Sequence, residues 1–269
     1  SSERTATYKQ RLVKAGDRLC DLTGGMGVDS YYLSRKVVQV TYVERFAHYC
    51  EAATHNFREL GATNIEVVHA DACAYLAQME PVDVFYIDPA RRGEAGKRVF
   101  ALSDCEPDLT VVFPALFQKA PRVIAKLSPM ADLSFTCGLL PQTVAIHVLA
   151  VRGECKELLF CLERDRTVES TQIHCVHFTT GREECFDFTM TEEREAEVQI
   201  GGALGTYLYE PNVAILKAGA FKSVAARFGL RKLQVSSHLY TSDTWVEAFP
   251  GRRFQVKAVI PFHGKACKQ

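Results

Sequence analysis

The chain has 269 residues, 47% of them apolar, and 32 Lys and Arg balance 32 Asp and Glu, which is material for sizeable cores in two or three domains. No run of about eighteen apolar residues occurs, so a membrane-spanning helix is not expected, and Ser1-Ser2-Glu3-Arg4 opens without a signal-peptide apolar stretch or an initiator Met, as a processed or truncated start would. Ten cysteines without one Cys-x-x-Cys pair read as reduced, packed side chains in a cytoplasmic setting rather than as a disulfide framework.

In chain order, Arg18–Leu22 reads as a strand that ends in a glycine turn, and Val28–Arg35 as a helix. Val37–Glu44 is a β-branched second strand. Phe46–Leu60 carries apolar residues at helical spacing and stops at Gly61. Asn64–His69 is a third strand, Ala72–Met79 a helix, and Val82–Asp88 a buried fourth strand stopped by Pro89. Leu109–Ala120 reads as a helix that Pro114 would kink, and Arg122–Leu127 as a fifth strand. This alternation predicts a parallel sheet wrapped by helices on both faces.

The pattern then changes. Thr143–Val151 and Cys155–Glu163 read as strands joined at Gly153, either completing the first sheet or opening the next domain. Gln172–Phe178 and Cys185–Met190 follow as short strands, and Thr191–Glu197 as an acidic helix or linker. Gly201–Gly205 is a break. Pro211–Phe228 reads as a helix interrupted near Gly219, with strands at Lys232–Val235, Leu239–Thr241 and Phe254–Val259. Residues 201–269 hold ten Lys and Arg against three Asp and Glu. That asymmetry suits a polyanionic partner or, equally, a solvated lysine-rich surface.

The chemistry-bearing pattern starts at Asp21-Leu22-Thr23-Gly24-Gly25-Met26-Gly27-Val28-Asp29. Glycines let the backbone turn sharply and approach a ligand. A dinucleotide site would read Gly-x-Gly-x-x-Gly; here the glycines are Gly24, Gly25 and Gly27, behind an acid. Asp21 would repel a pyrophosphate and suits the ammonium of S-adenosylmethionine. Glu44 closes the second strand, where an acid can bind two ribose hydroxyls. Asp71-Ala72 follows the third strand, placed to meet an adenine amino group or to cap the next helix. Asp88 closes the fourth. Ligands of open α/β sheets bind outside the carboxyl ends of the strands, and four acids stand there on successive strands.

The series Asp-x-x-Gly-Gly-x-Gly, Tyr-Val-Glu-Arg, His-Ala-Asp-Ala and Ile-Asp-Pro-Ala-Arg-Arg resembles class I methyltransferases over residues 16–128. Ser2-Glu3-Arg4-Thr5-Ala6-x-Tyr8-Lys9, Glu154-Cys155-Lys156-Glu157-Leu158 and Tyr209-Glu210-Pro211-Asn212 narrow the resemblance to an uncharacterised bacterial methyltransferase family with a C-terminal THUMP-like domain. The resemblance implies an α/β, Rossmann-like methyltransferase sheet wrapped by helices over residues 1–151. It also implies a small ferredoxin-like, β-rich segment over 152–200 and a smaller α+β, THUMP-like basic domain over 201–269. Such proteins carry a further helical N-terminal region, which makes this chain a C-terminal portion. The implied cofactor is S-adenosylmethionine, bound by Asp21, Thr23, Gly24, Gly25, Gly27, Asp29, Glu44, Arg45, Asp71, Ala72 and Asp88.

Methyl transfer from a sulfonium is an in-line displacement that depends on alignment of the nucleophile. Asp88 and Pro89 are the catalytic candidates, Asp88 to orient or deprotonate the acceptor. Related amine-methylating enzymes continue with Pro and an aromatic residue, and Ala90-Arg91 departs from that pattern. Arg91 and Arg92 are placed to grip phosphate, stack on a base or pair with a neighbouring acid. Lys217, Lys222, Arg231 and Lys232, with Arg227, Arg252, Arg253 and Lys257, are candidates to follow an RNA backbone. No metal site is expected, because His174 and Cys175 point to opposite faces of a strand, as do His174 and His177. The open alternatives are a methyltransferase of proteins or small molecules and a non-catalytic RNA-binding module, with a nicotinamide-dependent reductase disfavoured by the glycine spacing.

Overall fold

The computed structural model describes residues 1–91, 102–166 and 169–260. Helix α1 (Glu3–Lys9) begins at Ser2, whose hydroxyl accepts from the Thr5 N–H while the Thr5 side chain accepts from the Ser2 N–H. That reciprocal cap satisfies two otherwise orphaned donors of a helix only seven residues long.

Three strand–helix units and a fourth strand follow: β1 (Arg18–Asp21), α2 (Val28–Ser34), β2 (Gln39–Glu44), α3 (Ala47–Glu59), β3 (Ile65–His69), α4 (Ala72–Gln78) and β4 (Val84–Ile87). Two short strands, β5 (Ala90–Arg91) and β6 (Cys105–Glu106), pair antiparallel beyond them. Helix α5 (Leu109–Lys119) runs through Pro114 and leads to β7 (Arg122–Leu127) and α6 (Leu133–Leu139). All four side chains of β4 are buried, as a central strand covered on both faces requires. Each large apolar side chain so buried contributes roughly 1.5–3 kcal/mol.

Two hairpins complete the sheet: β8 (Thr143–Val151) with β9 (Glu154–Glu163), and β10 (Gln172–Phe178) with β11 (Glu183–Thr189), followed by α7 (Met190–Glu195). The nine strands lie in the order β11-β10-β8-β9-β7-β4-β1-β2-β3. The strands from β7 to β3 are parallel; β9 enters antiparallel between β7 and β8, and β10 runs parallel to β8.

This arrangement corrects the separate segment expected at 152–200. Leu158, Leu159 and Phe160 of β9 are buried on both faces of the sheet, so β9 is interior to the main sheet, and a boundary at 151 would cut its hairpin with β8.

A second sheet, in the order β13-β14-β12-β15, is built from β12 (Tyr207–Pro211), β13 (Arg231–Lys232), β14 (Tyr240–Ser242) and β15 (Gly251–Gln255). Strand β12, absent from the sequence reading, is central. The helix expected over 211–228 with a break near Gly219 is two helices, α8 (Val213–Ala218) and α9 (Ser223–Phe228), and Gly219 turns left-handed at φ 76° to close α8. Helix α8 packs on β8, β9 and β10. Tyr209, Ile215 and Phe249 therefore share one hydrophobic core with Phe85, Val123 and Phe160. No helix among the described residues is long and apolar enough to cross a membrane.

Candidate active site

The carboxyl ends of β1 to β4 open into a cleft of about 800 Å³ whose wall includes Thr23, Gly25, Glu44, Arg45, Phe46, Asp71, Ala72, Asp88 and Pro89. Of the four strand-end acids, Glu44, Asp71 and Asp88 line it. Asp21 lies just beneath.

The turn owes its path to its glycines. A Cβ on Gly24 would sit 2.2 Å from Cε2 of Tyr42, so the backbone passes against the ring where no side chain fits. The Tyr42 hydroxyl donates to the Gly25 carbonyl at 2.5 Å, and the Gly24 N–H to the Val43 carbonyl at 2.9 Å. Gly27 takes φ 75°, a left-handed conformation with no penalty for glycine. Asp21 is buried and accepts from the Thr23 N–H at 3.0 Å and the Ser30 hydroxyl at 2.5 Å. Burial pushes its carboxyl up to about 7, against the pull of those two hydrogen bonds.

Glu44 is held by two backbone donors, Gly25 N–H on Oε2 and Phe46 N–H on Oε1, each at 2.9 Å. It ties the glycine turn to the start of α3 and keeps lone pairs for the cleft. Asp71 caps α4 through the Cys73 and Ala74 N–H groups and also lines the cleft. Arg45 lies over the Phe46 ring at 4.6 Å and pairs with Glu106 Oε1 at 2.5 Å.

Asp29 is displaced from its expected place. Its carboxylate points under the sheet, accepting from Lys9 Nζ at 2.9 Å and the Tyr86 hydroxyl at 2.7 Å. It is a structural acid rather than a wall of the cleft. Burial works against its ionisation, but the charges of Lys9 and Lys126 outweigh it and hold its carboxyl below the usual carboxylate range.

Asp88 sits where the cleft meets a smaller chamber of about 140 Å³ lined by Lys126, Ser128 and Lys156. Its N–H donates to Thr23 Oγ1 at 2.6 Å, and Lys126 donates to its Oδ2. Lys126, at the end of β7, escaped the sequence reading. The available signal was a lysine within the apolar run Arg122–Leu127, on the strand that pairs with β4.

The proposed nucleic-acid contacts fare differently. Arg91 lies in β5, and Arg92 falls outside the described residues. Lys232 is buried, its ammonium donating to the Val235 carbonyl and lying over the Phe221 ring, so it is corrected to a packing residue. Lys217 donates to the Ala131 carbonyl, Lys222 to that of Arg194 and Arg231 to that of Ala203. These lysines and arginines tie loops and chain ends together. Lys217, on α8, thereby reaches the loop that follows β7.

A crystal structure from Porphyromonas gingivalis W83, provisionally named a methyltransferase, superposes on the whole of this chain with a TM-score of 0.93 at 40% identity and is covered over 67% of its own length. The chain belongs to this methyltransferase family. A shorter stretch of 83 residues is 33% identical to an uncharacterized RNA methyltransferase of Mycoplasma mobile, spanning 30% of this chain and 23% of that protein. The family model for a ferredoxin-like domain matches residues 207–250. In this chain, the ferredoxin-like description thus falls on β12 to β14 and the loop before β15, not on 152–200.

Proposed function

We propose that the chain is an S-adenosylmethionine-dependent methyltransferase of RNA. The observation that carries this is the set of three strand-end carboxylates, Glu44, Asp71 and Asp88, around one cleft closed at its base by the glycine turn. Three acids disfavour a pyrophosphate and suit the hydroxyl, amine and cationic groups of an adenosyl sulfonium. Glu44 would hold the ribose hydroxyls with lone pairs left by its two backbone donors. Asp71 and the Ala72 N–H would meet adenine, with Phe46 and Val112 as its apolar walls. Asp21, Thr23, Gly24, Gly25 and Gly27 would shape the end that takes the methionine portion, while Arg45 and Glu106 would clasp the ribose side.

Bound S-adenosylmethionine would supply an electrophilic methyl group for in-line displacement. Asp88 orients the acceptor and accepts a hydrogen bond from its proton-bearing group, with Pro89 fixing the chain beyond it. The domain reading we favour is a methyltransferase unit running through β11, with the basic region from 201 onward as an accessory module.

RNA as acceptor is supported by the likeness to the uncharacterized RNA methyltransferase of Mycoplasma mobile and by the basic excess of residues 201–269. The internal engagement of Lys217, Lys222, Arg231 and Lys232 favours the second reading, a protein or small-molecule acceptor.

Calorimetry with S-adenosylhomocysteine tests the cofactor, and absence of heat from folded protein sinks it. Tritium-methyl transfer is then measured to total RNA, protein extract and small metabolites. Label in RNA is expected; label confined to the other two fractions defeats the RNA assignment.

A further inference from the structure

Five ionisable side chains from five parts of the fold meet beneath the cleft. Lys9 of α1 has no exposed side-chain surface and lies 2.9 Å from Asp29 Oδ1 and 2.7 Å from Glu157 Oε2. Glu157, on β9, is buried as well, and its Oε1 has no hydrogen-bond partner among the described residues. Lys126 Nζ stands 3.9 Å from Asp29 Oδ2 and 3.8 Å from Glu157 Oε2 on one side and donates to Asp88 on the other. Three carboxylates thus share two ammonium groups. Around the cluster, among the described residues, stand the Tyr86 hydroxyl on β4, the Ser1 hydroxyl ahead of α1, the Thr23 hydroxyl, Asp21 on β1, and Lys156 in the chamber wall, itself paired with Glu154.

Two segments that the proposed function leaves unused meet here: Lys9 ends the Ser2–Lys9 motif, and Glu157 lies in the Glu154–Leu158 motif. Their pairing gives both a purpose. Lys9 holds Asp29 and Glu157 in fixed, charged positions, and their combined negative charge sits on the far side of the Lys126 ammonium from Asp88. A lysine so surrounded cannot easily swing out or lose its proton.

We propose that Lys126 is the positioning residue for Asp88: anchored from beneath by Asp29 and Glu157, its ammonium takes one carboxylate oxygen, keeps Asp88 ionised and turns its remaining lone pairs to the methyl acceptor. This rests on the reading that Asp88 meets the acceptor. Lys126 is not itself the base. Although burial works against its charge, Asp88, Asp29 and Glu157 together hold its proton more tightly than an ordinary lysine's. Burial likewise raises Asp88, and Lys126 is the largest influence that opposes the rise. Removal of the ammonium therefore leaves Asp88 protonated to higher pH, unable to accept the acceptor's hydrogen bond.

The test follows Asp88 directly. Full-length protein carrying aspartate labelled with carbon-13 at the carboxyl carbon is titrated by NMR, with the Asp88 signal assigned through Asp88→Asn. Wild type is compared with Lys126→Met, Lys126→Gln and Lys126→Arg, each first checked for fold by circular dichroism and for S-adenosylhomocysteine affinity. The Met and Gln variants are expected to titrate Asp88 at higher pH and to shift the acidic limb of the methyl-transfer profile on total RNA in parallel. At neutral pH, kcat should fall at least about tenfold with cofactor affinity little changed. Lys126→Arg should restore the titration and most of the rate.

An Asp88 midpoint that is the same in wild type and in whichever of the neutral variants folds overturns the proposal, as does equal loss in the Arg, Met and Gln variants. Should both neutral variants fail to fold, Lys126→Arg decides: loss of most of the rate with the Asp88 midpoint unchanged overturns the proposal, because the charge is then kept and the rate is not. Should no fraction accept methyl groups, the methyltransferase reading falls while the Asp88 titration still decides the role of Lys126.

Discussion

Two acids show how environment sorts side chains of one type. Asp21 and Asp29 flank the same glycine turn, yet burial raises one to about 7 while Lys9 and Lys126 hold the other low. A carboxyl raised in the folded state stabilises below its unfolded value, and that contribution is lost as pH rises through the folded value. Between pH 4 and 7, wild type should therefore lose about 2–4 kcal/mol relative to Asp21→Asn, read from urea unfolding at each pH; parallel curves would refute the assignment. At Gly24, the Tyr42 ring leaves no room for a methyl group. Gly24→Ala should cost about 1–3 kcal/mol in the same measurement and weaken S-adenosylhomocysteine binding. The strand-end acids were legible because a period of two and a stopping residue locate a strand end. Asp29 was misplaced because its partner, Lys9, lies 20 residues away, where local pattern carries no information. Lys232 was misread because a basic doublet on a strand puts one side chain out and the other in.

At the scale of elements, α1 is a plug held by charge. Its seven residues cannot be stable alone; it is fixed where Lys9 enters the sheet's underside and Tyr8 packs near Phe178, donating or accepting at His147 Nδ1 at 2.9 Å. Lys9→Met leaves Asp29 and Glu157 with only the more distant Lys126 ammonium between them and should destabilise by about 3–5 kcal/mol. Adding Glu157→Gln to that variant should recover part of the loss, because the repulsion is removed; strictly additive losses in denaturant titrations would show that the pair is not coupled. The five parallel strands and their helices followed from hydrophobic period alone. Strand β12 did not, since Tyr-Leu-Tyr-Glu-Pro is short, ends in proline and becomes a strand through β14 and β15, both distant in sequence. The placement of β9 was also invisible: its buried run suits a hairpin in either sheet, and pairing with β7 is a tertiary choice.

For the whole molecule, the continuous core from β4 to β12 has a thermodynamic consequence. Because Tyr209 and Ile215 belong to the same hydrophobic cluster as Phe85, the second sheet cannot melt without exposing the first. Calorimetry should show one transition whose van't Hoff and calorimetric enthalpies agree, and two resolved peaks would contradict the shared core. S-adenosylhomocysteine at 100 times its dissociation constant should stabilise that transition by about 2.7 kcal/mol.

The Lys9–Glu157 contact closes a span of 148 residues, which bears on the order in which the protein comes into being. During synthesis α1 leaves the ribosome long before β9 exists. Until then Lys9 has no second carboxylate to meet, and its ammonium keeps its water. The Lys9–Glu157 contact that helps fix α1 can therefore close only once β9 has been made. Completion of the surroundings of Asp88, the carboxylate proposed to meet the acceptor, then requires β9, so a nascent or truncated chain ending before Glu157 would hold the glycine turn and the strand-end acids without a settled Asp88.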